Sequence, residues 1–190
     1  MHASPTQVQR WAASVSQSQS LPISTSCAVR SRSVPDGKPP PPSLAVAAIF
    51  GGPAVVVDFG GTATTYDVIS PRGEYVGGAI APGLEISLEA LGRRGAQLRK
   101  VELARPRTGV AKNTVEALQS GMVFGTAAQV EGLVARMVRE LGVPSEEVRV
   151  ISTGYLAPLV VGECGCFTDH QPWLTLQGLG MVFARNRRHS

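Results

Sequence analysis

The chain has 190 residues, of which 43% are hydrophobic, so it is long enough for one domain with a buried core or for two small domains. No apolar run approaches the ~20 residues that a membrane-spanning helix requires, and we expect no membrane contact. Three cysteines (Cys27, Cys164 and Cys166) form no even disulfide framework, which is typical of a reducing compartment. These features predict a soluble, intracellular protein.

The formal net charge of +4 does not indicate a nucleic-acid partner, because most of it lies in one segment. Residues 1–44 hold a surplus of +3, whereas residues 45–190 hold 14 basic and 13 acidic side chains. A nucleic-acid footprint concentrates on one folded face. The nearest candidate is a basic group opposed only by Glu102, namely Arg93, Arg94, Arg99, Lys100, Arg105 and Arg107. Such runs are usually solvated, and we expect no nucleic-acid binding.

Residues 1–44 read as a segment without a core. Ser, Pro and Gln supply 21 of these 44 residues, which leaves too little apolar surface to offset the entropy of ordering. Pro39–Pro42 favour an extended polyproline II conformation. The segment has no acid before Asp36, so it also has the composition of an organelle transit peptide. A third interpretation is upstream sequence that is not the natural start of the domain, which we place at residues 45–190, with order beginning near Leu44.

Three short strands are predicted next. The segment PAVVVDF (53–59) is a β-branched apolar run typical of a buried strand. TATTYDVIS (62–70) and EYVGGAIA (74–81) follow, separated by PRG (71–73), in which proline and glycine favour a tight turn. The sequence therefore predicts a three-stranded antiparallel meander.

Two helices are predicted after the meander. Leu84, Leu88 and Leu91 recur at helical spacing until Gly92, which weakens or ends that helix. A longer helix begins at Asn113, an N-cap residue with Glu116 as its capping-box partner, and stops at Gly142. Its apolar stripe comprises Val115, Leu118, Met122, Val130, Leu133, Met137 and Leu141.

Small residues within the longer helix predict a close neighbour. Gly121 and Gly125 have no side chains to keep another backbone away. In such a helix this favours tight packing within the chain or a contact between subunits.

The remaining elements complete an α/β pattern. VRVIS (148–152) is a buried strand that runs into Thr153 and Gly154, a turn at the carboxyl end of the strand, where open α/β sheets bind ligands. Residues 173–186 predict a strand or turn followed by a short helix.

Asp58 to Thr62 form the first candidate site. Paired glycines permit a turn whose backbone N–H groups point outward and cradle phosphate. Asp58 can hold a cation, while Thr62 and Thr64 can donate hydroxyls to a nucleotide. A turn with purely structural glycines explains the same residues equally well.

Two further candidates have simpler alternatives. Asn113 and Thr114 begin a helix, where free N–H groups attract an anion such as a carboxylate, but a plain N-cap explains them too. A zinc or soft-metal site could use four side chains of one segment, although the spacing matches no paired zinc pattern and free thiols are favoured. Those four are Cys164, Cys166, Asp169 and His170. The few histidines give no support to a Ser–His–Asp or Cys–His mechanism.

Four linked motifs between about Ala45 and Asn186 closely resemble the type III pantothenate kinases. They are VVVDFGGTATTYDVIS, GEYVGGAIAPGLEISLEAL, NTVEALQSGMVFG and LTLQGLGMVFARN. The resemblance implies a ribonuclease-H-like α/β fold of the actin/Hsp70 type, incomplete in this chain. It also implies ATP-dependent phosphorylation of pantothenate, the first step of coenzyme A synthesis, by cytoplasmic homodimers. The implied cofactors are ATP with magnesium and a monovalent cation, potassium or ammonium.

The resemblance also implies residue roles. Asp58 resembles the family's monovalent-cation ligand, Thr62 its ATP contact and Thr114 its pantothenate contact. Two positions depart from the family pattern. Gly60 and Gly61 stand where the family has one glycine, and Tyr155 replaces the second glycine of a Thr-Gly-Gly sequence.

The matched motifs correspond to the C-terminal portion of the family. Its N-terminal portion carries an Asp-x-Gly-Asn-Thr phosphate loop and a Gly-x-Asp-Arg segment with the catalytic base. Nothing in residues 1–44 matches either motif, so we assign no catalytic base in this chain. Two interpretations follow: a type III pantothenate kinase that needs its other portion, or a non-catalytic remnant acting as a dimerisation or ligand-binding module.

Overall fold

The structure, a computed structural model, describes residues 40–94 and 101–187. Within these ranges five strands and five α-helices follow one another in the chain. They are α1 (Pro41–Ile49), β1 (Ala54–Phe59), β2 (Ala63–Ile69), β3 (Tyr75–Pro82), α2 (Leu84–Arg94), α3 (Thr114–Leu141), β4 (Arg149–Thr153), α4 (Ala157–Val160), β5 (Asp169–His170) and α5 (Leu174–Arg187). Short 3-10 turns lie at Ser145–Glu147 and Val161–Glu163.

The strands form one mixed sheet in the order β3-β2-β1-β4-β5. β1, β2 and β3 pair antiparallel, which confirms the predicted meander, whereas β4 lies parallel to β1 and β5 parallel to β4. The parallel pairing brings the carboxyl ends of β1 and β4 to the same edge of the sheet. Asp58 and Thr153, the last paired residues of these two strands, are neighbours in the register.

Each face of the sheet is covered by helices, so the central strand β1 is buried on both sides. Val55, Val57 and Phe59 belong to the core under α3, and the alternate residues Ala54 and Val56 belong to the core under α1 and α5. Period-two alternation along β1 explains this division. Asp58 shares the parity of Val56 and therefore faces α5.

Helix α1 departs from the sequence prediction. The expected extended conformation is wrong at Pro41 and Pro42, which form the first turn of α1. Proline is tolerated there because the first helical N–H groups have no intrahelical acceptor. Ser43 on α1 is buried, and the folded region thus extends beyond the expected start near Leu44. Residues 1–39 lie outside the described ranges, and the expectations for them stay predictions.

The long helix α3 agrees with its predicted limits. The Asn113 side chain accepts a hydrogen bond from the Glu116 N–H at 2.9 Å, and Gly142 ends the helix with a φ of 66°. Gly121 and Gly125 lie against open space in the described chain, so the predicted tight packing within the chain is wrong. The alternative of a subunit contact at these glycines stays a prediction.

The two other predicted helices are longer than the sequence suggested. Helix α2 continues two residues past Gly92 to Arg94, and residues 95–100 lie outside the described ranges. The C-terminal segment is helical from Leu174 to Arg187, so the predicted strand alternative near Trp173 is wrong. Among the described helices, none combines the length and apolar character that crossing a membrane requires.

Candidate functional site

The turn between β1 and β2 holds the central residues of the predicted site. Its backbone is tied to the start of α2: the Gly83 N–H donates to the Thr62 carbonyl oxygen at 2.9 Å, and the Ile86 N–H to that of Gly61 at 3.2 Å. Neither Gly60 nor Gly61 has a positive φ among the described glycines. A Cβ at Gly61 would meet the side-chain oxygens of Glu85 and Tyr155, which are the ends of two exposed side chains and would have to move aside.

Asp58 lies half-buried where β1 enters this turn. The Thr175 hydroxyl on α5 donates a hydrogen bond to its carboxylate at 3.2 Å. Burial raises the pKa of Asp58, and the Thr175 hydrogen bond opposes that shift. Gly154 lies close to the Asp58 side chain and has a φ of 93°. A Cβ at this position would lie 2.6 Å from the Asp58 Oδ1 atom. Three segments distant in sequence thus fix one carboxylate.

Thr153 adds a buried hydroxyl next to Asp58. Its Oγ1 atom is fully buried and has no hydrogen-bond partner in the described part of the chain. A buried hydroxyl without a partner costs free energy unless another group supplies the interaction. A carboxylate beside such an oxygen is a donor set suited to a hard cation such as potassium. The residues therefore fit the cation that the resemblance implies at Asp58.

A hydrogen bond crosses the turn on its outer side. The Tyr155 hydroxyl donates to the Glu85 carboxylate at 2.6 Å, and both side chains are exposed. This bond raises the pKa of Tyr155. Tyr155 is the residue that departs from the family pattern, and its hydroxyl lies over Gly61. Thr62, the predicted ATP contact, is exposed in the same turn.

A second carboxylate lies on the same face of the sheet as Asp58. Asp67 registers with Val56, two residues before Asp58 on β1, and is almost completely buried. The Ser43 hydroxyl on α1 donates to it at 2.7 Å, and Tyr75 is a further hydrogen-bond partner. Burial raises the pKa of Asp67 to about 6, the two hydroxyl groups oppose this shift, and the charge of Asp58 adds to it.

Thr114 lies on a different element from Asp58 and Thr62. It is the exposed first residue of α3, directly after the Asn113 cap. The loop before it is held to α3 by two hydrogen bonds: Gln119 donates to the Glu102 carbonyl oxygen at 2.9 Å, and Ser120 to that of Gly109 at 2.8 Å. The structure therefore places Asp58 at the end of β1, Thr62 in the turn that follows, and Thr114 at a helix N-terminus.

The predicted metal alternative near the cysteines gains no support. Within residues 40–94 and 101–187, no three His, Cys, Asp or Glu side chains converge on a common point. Cys164 and Cys166 are free thiols. His170 lies 2.8 Å from the hydroxyl of Ser152, which is fully buried and so cannot act as an accessible nucleophile.

Sequence reasoning missed several residues that shape the site. Thr175 lay within a motif already quoted for the family resemblance, so its hydroxyl could have been noted. Thr153 has a sequence signal only as part of a turn at a strand end. The partnership of Ser43 with Asp67 had no sequence signal, because Ser43 closes a proline run that reads as irregular.

The sheet and its covering helices define the class of protein. An archaeal actin homologue superposes with a TM-score of 0.50 and 13% sequence identity, covering 76% of this chain and 54% of that one. The fold is thus an actin/Hsp70-like α/β fold, present here as a partial domain.

Sequence comparison then gives the family. The family profile described as Type III pantothenate kinase matches residues 43–136. Type III pantothenate kinases of Nocardioides sp. and Streptomyces griseus are 71% and 62% identical over 144 residues, which cover 76% of this chain and 56% and 54% of those proteins. The chain belongs to the type III pantothenate kinase family and spans about half the length of the curated relatives it matches.

Proposed function

We propose that this chain provides the cation, ATP and pantothenate contacts of a type III pantothenate kinase, which phosphorylates pantothenate to 4'-phosphopantothenate with ATP. The main support is the position of Asp58, which is paired in the sheet register with Thr153, whose buried hydroxyl has no partner in the described part of the chain. Both residues lie at the edge of the sheet next to the glycine turn. Family membership supports the reaction and its substrates.

Each predicted site residue has a role in this proposal. Asp58 holds potassium or ammonium with Thr153, and Thr175 orients the carboxylate through its hydrogen bond. The bound cation supplies positive charge beside the phosphates. Thr62 contacts ATP from the exposed turn, and magnesium arrives with the nucleotide. Thr114 contacts pantothenate at the N-terminus of α3, where free N–H groups favour its carboxylate.

The chemistry needs little more from these residues than position and charge. Phosphoryl transfer depends mainly on in-line positioning and on neutralising the phosphate oxygens. A general base and the remaining phosphate contacts are assigned to the part of the relatives' length that this chain does not span. We therefore propose low turnover for this chain by itself.

A homodimer is part of the proposal. The face of α3 that carries Gly121 and Gly125 is open in the described chain and allows close approach of another helix. The same observation favours a second candidate function, a non-catalytic dimerisation module that has kept the fold. Nucleotide binding separates the two functions, since only the kinase needs it.

The test is equilibrium binding of a fluorescent ATP analogue with magnesium, in potassium and in a large organic cation. We expect potassium-dependent binding that Asp58→Asn weakens by about tenfold or more, because a lost charge-assisted contact costs ~1.5–3 kcal/mol. Asp169→Asn, which changes a half-buried acid on β5, is the matched control and leaves binding unchanged. A folded dimer that binds no nucleotide would favour the non-catalytic module instead.

A further inference from the structure

Two thiols lie together in the loop between the 3-10 turn at Val161–Glu163 and β5. Cys164 and Cys166 flank Gly165, and both are half-buried and free. They lie on the α3 side of the sheet, whereas Asp58 faces α5. The proposed kinase chemistry uses neither thiol.

The loop holds the first cysteine firmly. The Cys164 Sγ atom lies 3.5 Å from the Val160 carbonyl oxygen and 3.9 Å from that of Ala127 on α3. The Gly165 N–H donates to the Glu131 carboxylate at 2.9 Å, which fastens the middle of the loop to the same helix. A fixed loop keeps the second thiol near the first.

The two thiols also interact directly and differ in acidity. Their side-chain hydrogen bond lowers the pKa of Cys166, and the same bond together with burial raises the pKa of Cys164. The geometry assigns the proton in the same way, because the Cys164 Sγ atom donates to the Val160 and Ala127 carbonyl oxygens and therefore remains a thiol. A thiolate is the nucleophilic form of cysteine.

We propose that Cys164 and Cys166 are an oxidisable dithiol that a hydroperoxide converts to a reversible disulfide. Cys166 reacts first and Cys164 resolves the product. Exposed Gly165 separates the two thiols and leaves the loop open to a small oxidant.

Oxidation of the dithiol takes two steps. The Cys166 thiolate attacks one peroxide oxygen, an S–O bond forms, the O–O bond breaks, and the leaving oxygen takes a proton, which gives a sulfenic acid. The Cys164 sulfur then attacks the Cys166 sulfur, an S–S bond forms, the S–O bond breaks, and water leaves with the Cys164 proton. Two thiols are oxidised for each peroxide reduced.

Nearby carboxylates influence the rate of the first step through the pKa values of the thiols. The Glu131 carboxylate raises the pKa of both thiols, and Glu163 raises that of Cys164. Glu163 is itself paired with Arg105 at 2.5 Å. Replacing Glu131 with glutamine removes its charge and keeps an oxygen for the Gly165 N–H. Each pKa unit lost raises the thiolate fraction about tenfold, while the nucleophilicity of that thiolate falls only about threefold. We therefore expect the rate of reaction with peroxide to rise about three- to fourfold for each pKa unit lost.

The experiment uses the full chain carrying Cys27→Ser, so that only two thiols remain. Treatment with hydrogen peroxide near neutral pH should remove both thiols together. Peptide mass analysis should show the loss of two hydrogens from the peptide that contains both cysteines, and dithiothreitol should restore the thiols.

Two single variants identify the order of reaction. Cys164→Ser should stop at a sulfenic acid on Cys166, which a dimedone-type reagent traps, whereas Cys166→Ser should react more than about tenfold more slowly. Glu131→Gln should accelerate the parent reaction and serves as the variant that leaves both cysteines in place.

The proposal is overturned if the thiols oxidise independently, if the disulfide links two chains, or if Cys166 gives no trapped sulfenic acid in Cys164→Ser. Circular dichroism confirms that each variant is folded. No nucleotide or pantothenate enters these measurements, so their outcome is independent of the proposed kinase function.

Discussion

Buried Asp67 should make the protein less stable as pH rises. Its pKa is raised from 3.8 to about 6 in the folded protein, a difference that corresponds to about 3 kcal/mol. Between these two values the folded state holds a proton that the unfolded state releases. The free energy of unfolding therefore falls by up to about 3 kcal/mol as pH rises from about 4 to 7, and then stays level.

Asp67→Asn removes this titration while keeping an oxygen for the Ser43 hydroxyl. We expect the variant to exceed the parent in free energy of unfolding by up to about 3 kcal/mol at pH 8, and to match it near pH 3.5. Urea denaturation of both proteins across this range measures the difference, in which the titration of all other groups largely cancels.

Ser43→Ala tests the same hydrogen bond by removing its donor. Losing a hydrogen bond to a charged carboxylate should cost ~1.5–3 kcal/mol at pH 8, and less below pH 4, where Asp67 is neutral.

A constant offset between the unfolding free energies of Asp67→Asn and the parent across this pH range would refute the reasoning. So would a variant that is less stable than the parent at pH 8.

Three further predictions concern the backbone and the helices. Gly154→Ala should cost ~1–3 kcal/mol in unfolding free energy because of its positive φ and its contact with the Asp58 side chain, whereas Gly162→Ala, which meets open space, should cost far less. Asn113→Ala should lower thermal stability by ~0.5–2 kcal/mol through loss of the α3 cap, with Lys112→Ala as a neutral neighbour; equal effects would contradict the capping role. Gly121→Ala should raise the stability of dilute protein by ~0.5–1 kcal/mol, since its Cβ meets nothing within 4 Å, and weaker self-association of the same variant in sedimentation would indicate that this face is a subunit contact.

Local signals explain which elements could be predicted from the sequence. The meander follows from β-branched runs separated by the proline and glycine of residues 71–73, and α3 is bounded by a cap at Asn113 and a stop at Gly142. Helix α1 could not be predicted in this way. Its proline-rich start lacks helical propensity, and its stability comes from contacts with α5, which lies over 120 residues further along the chain.

The residues of the candidate site likewise differ in whether the local sequence indicates them. Asp58 and Thr62 could be selected as candidates from the sequence because they belong to one contiguous segment. The groups that complete the site come from far along the chain: Thr175 is 117 residues from Asp58, and Tyr155 is 70 residues from Glu85. Only the tertiary fold brings these pairs together, since no periodicity or spacing in the sequence relates them.

The most direct test of the proposed function joins residues 40–187 to the part of the Nocardioides relative that this chain does not match. Production of 4'-phosphopantothenate from ATP and pantothenate is then measured with and without potassium. We expect potassium-dependent turnover that Asp58→Asn abolishes and Asp169→Asn preserves, while the 190-residue chain by itself is at least ~10²-fold slower for want of a general base. A folded chimera without activity, or activity that does not depend on Asp58, would contradict the account.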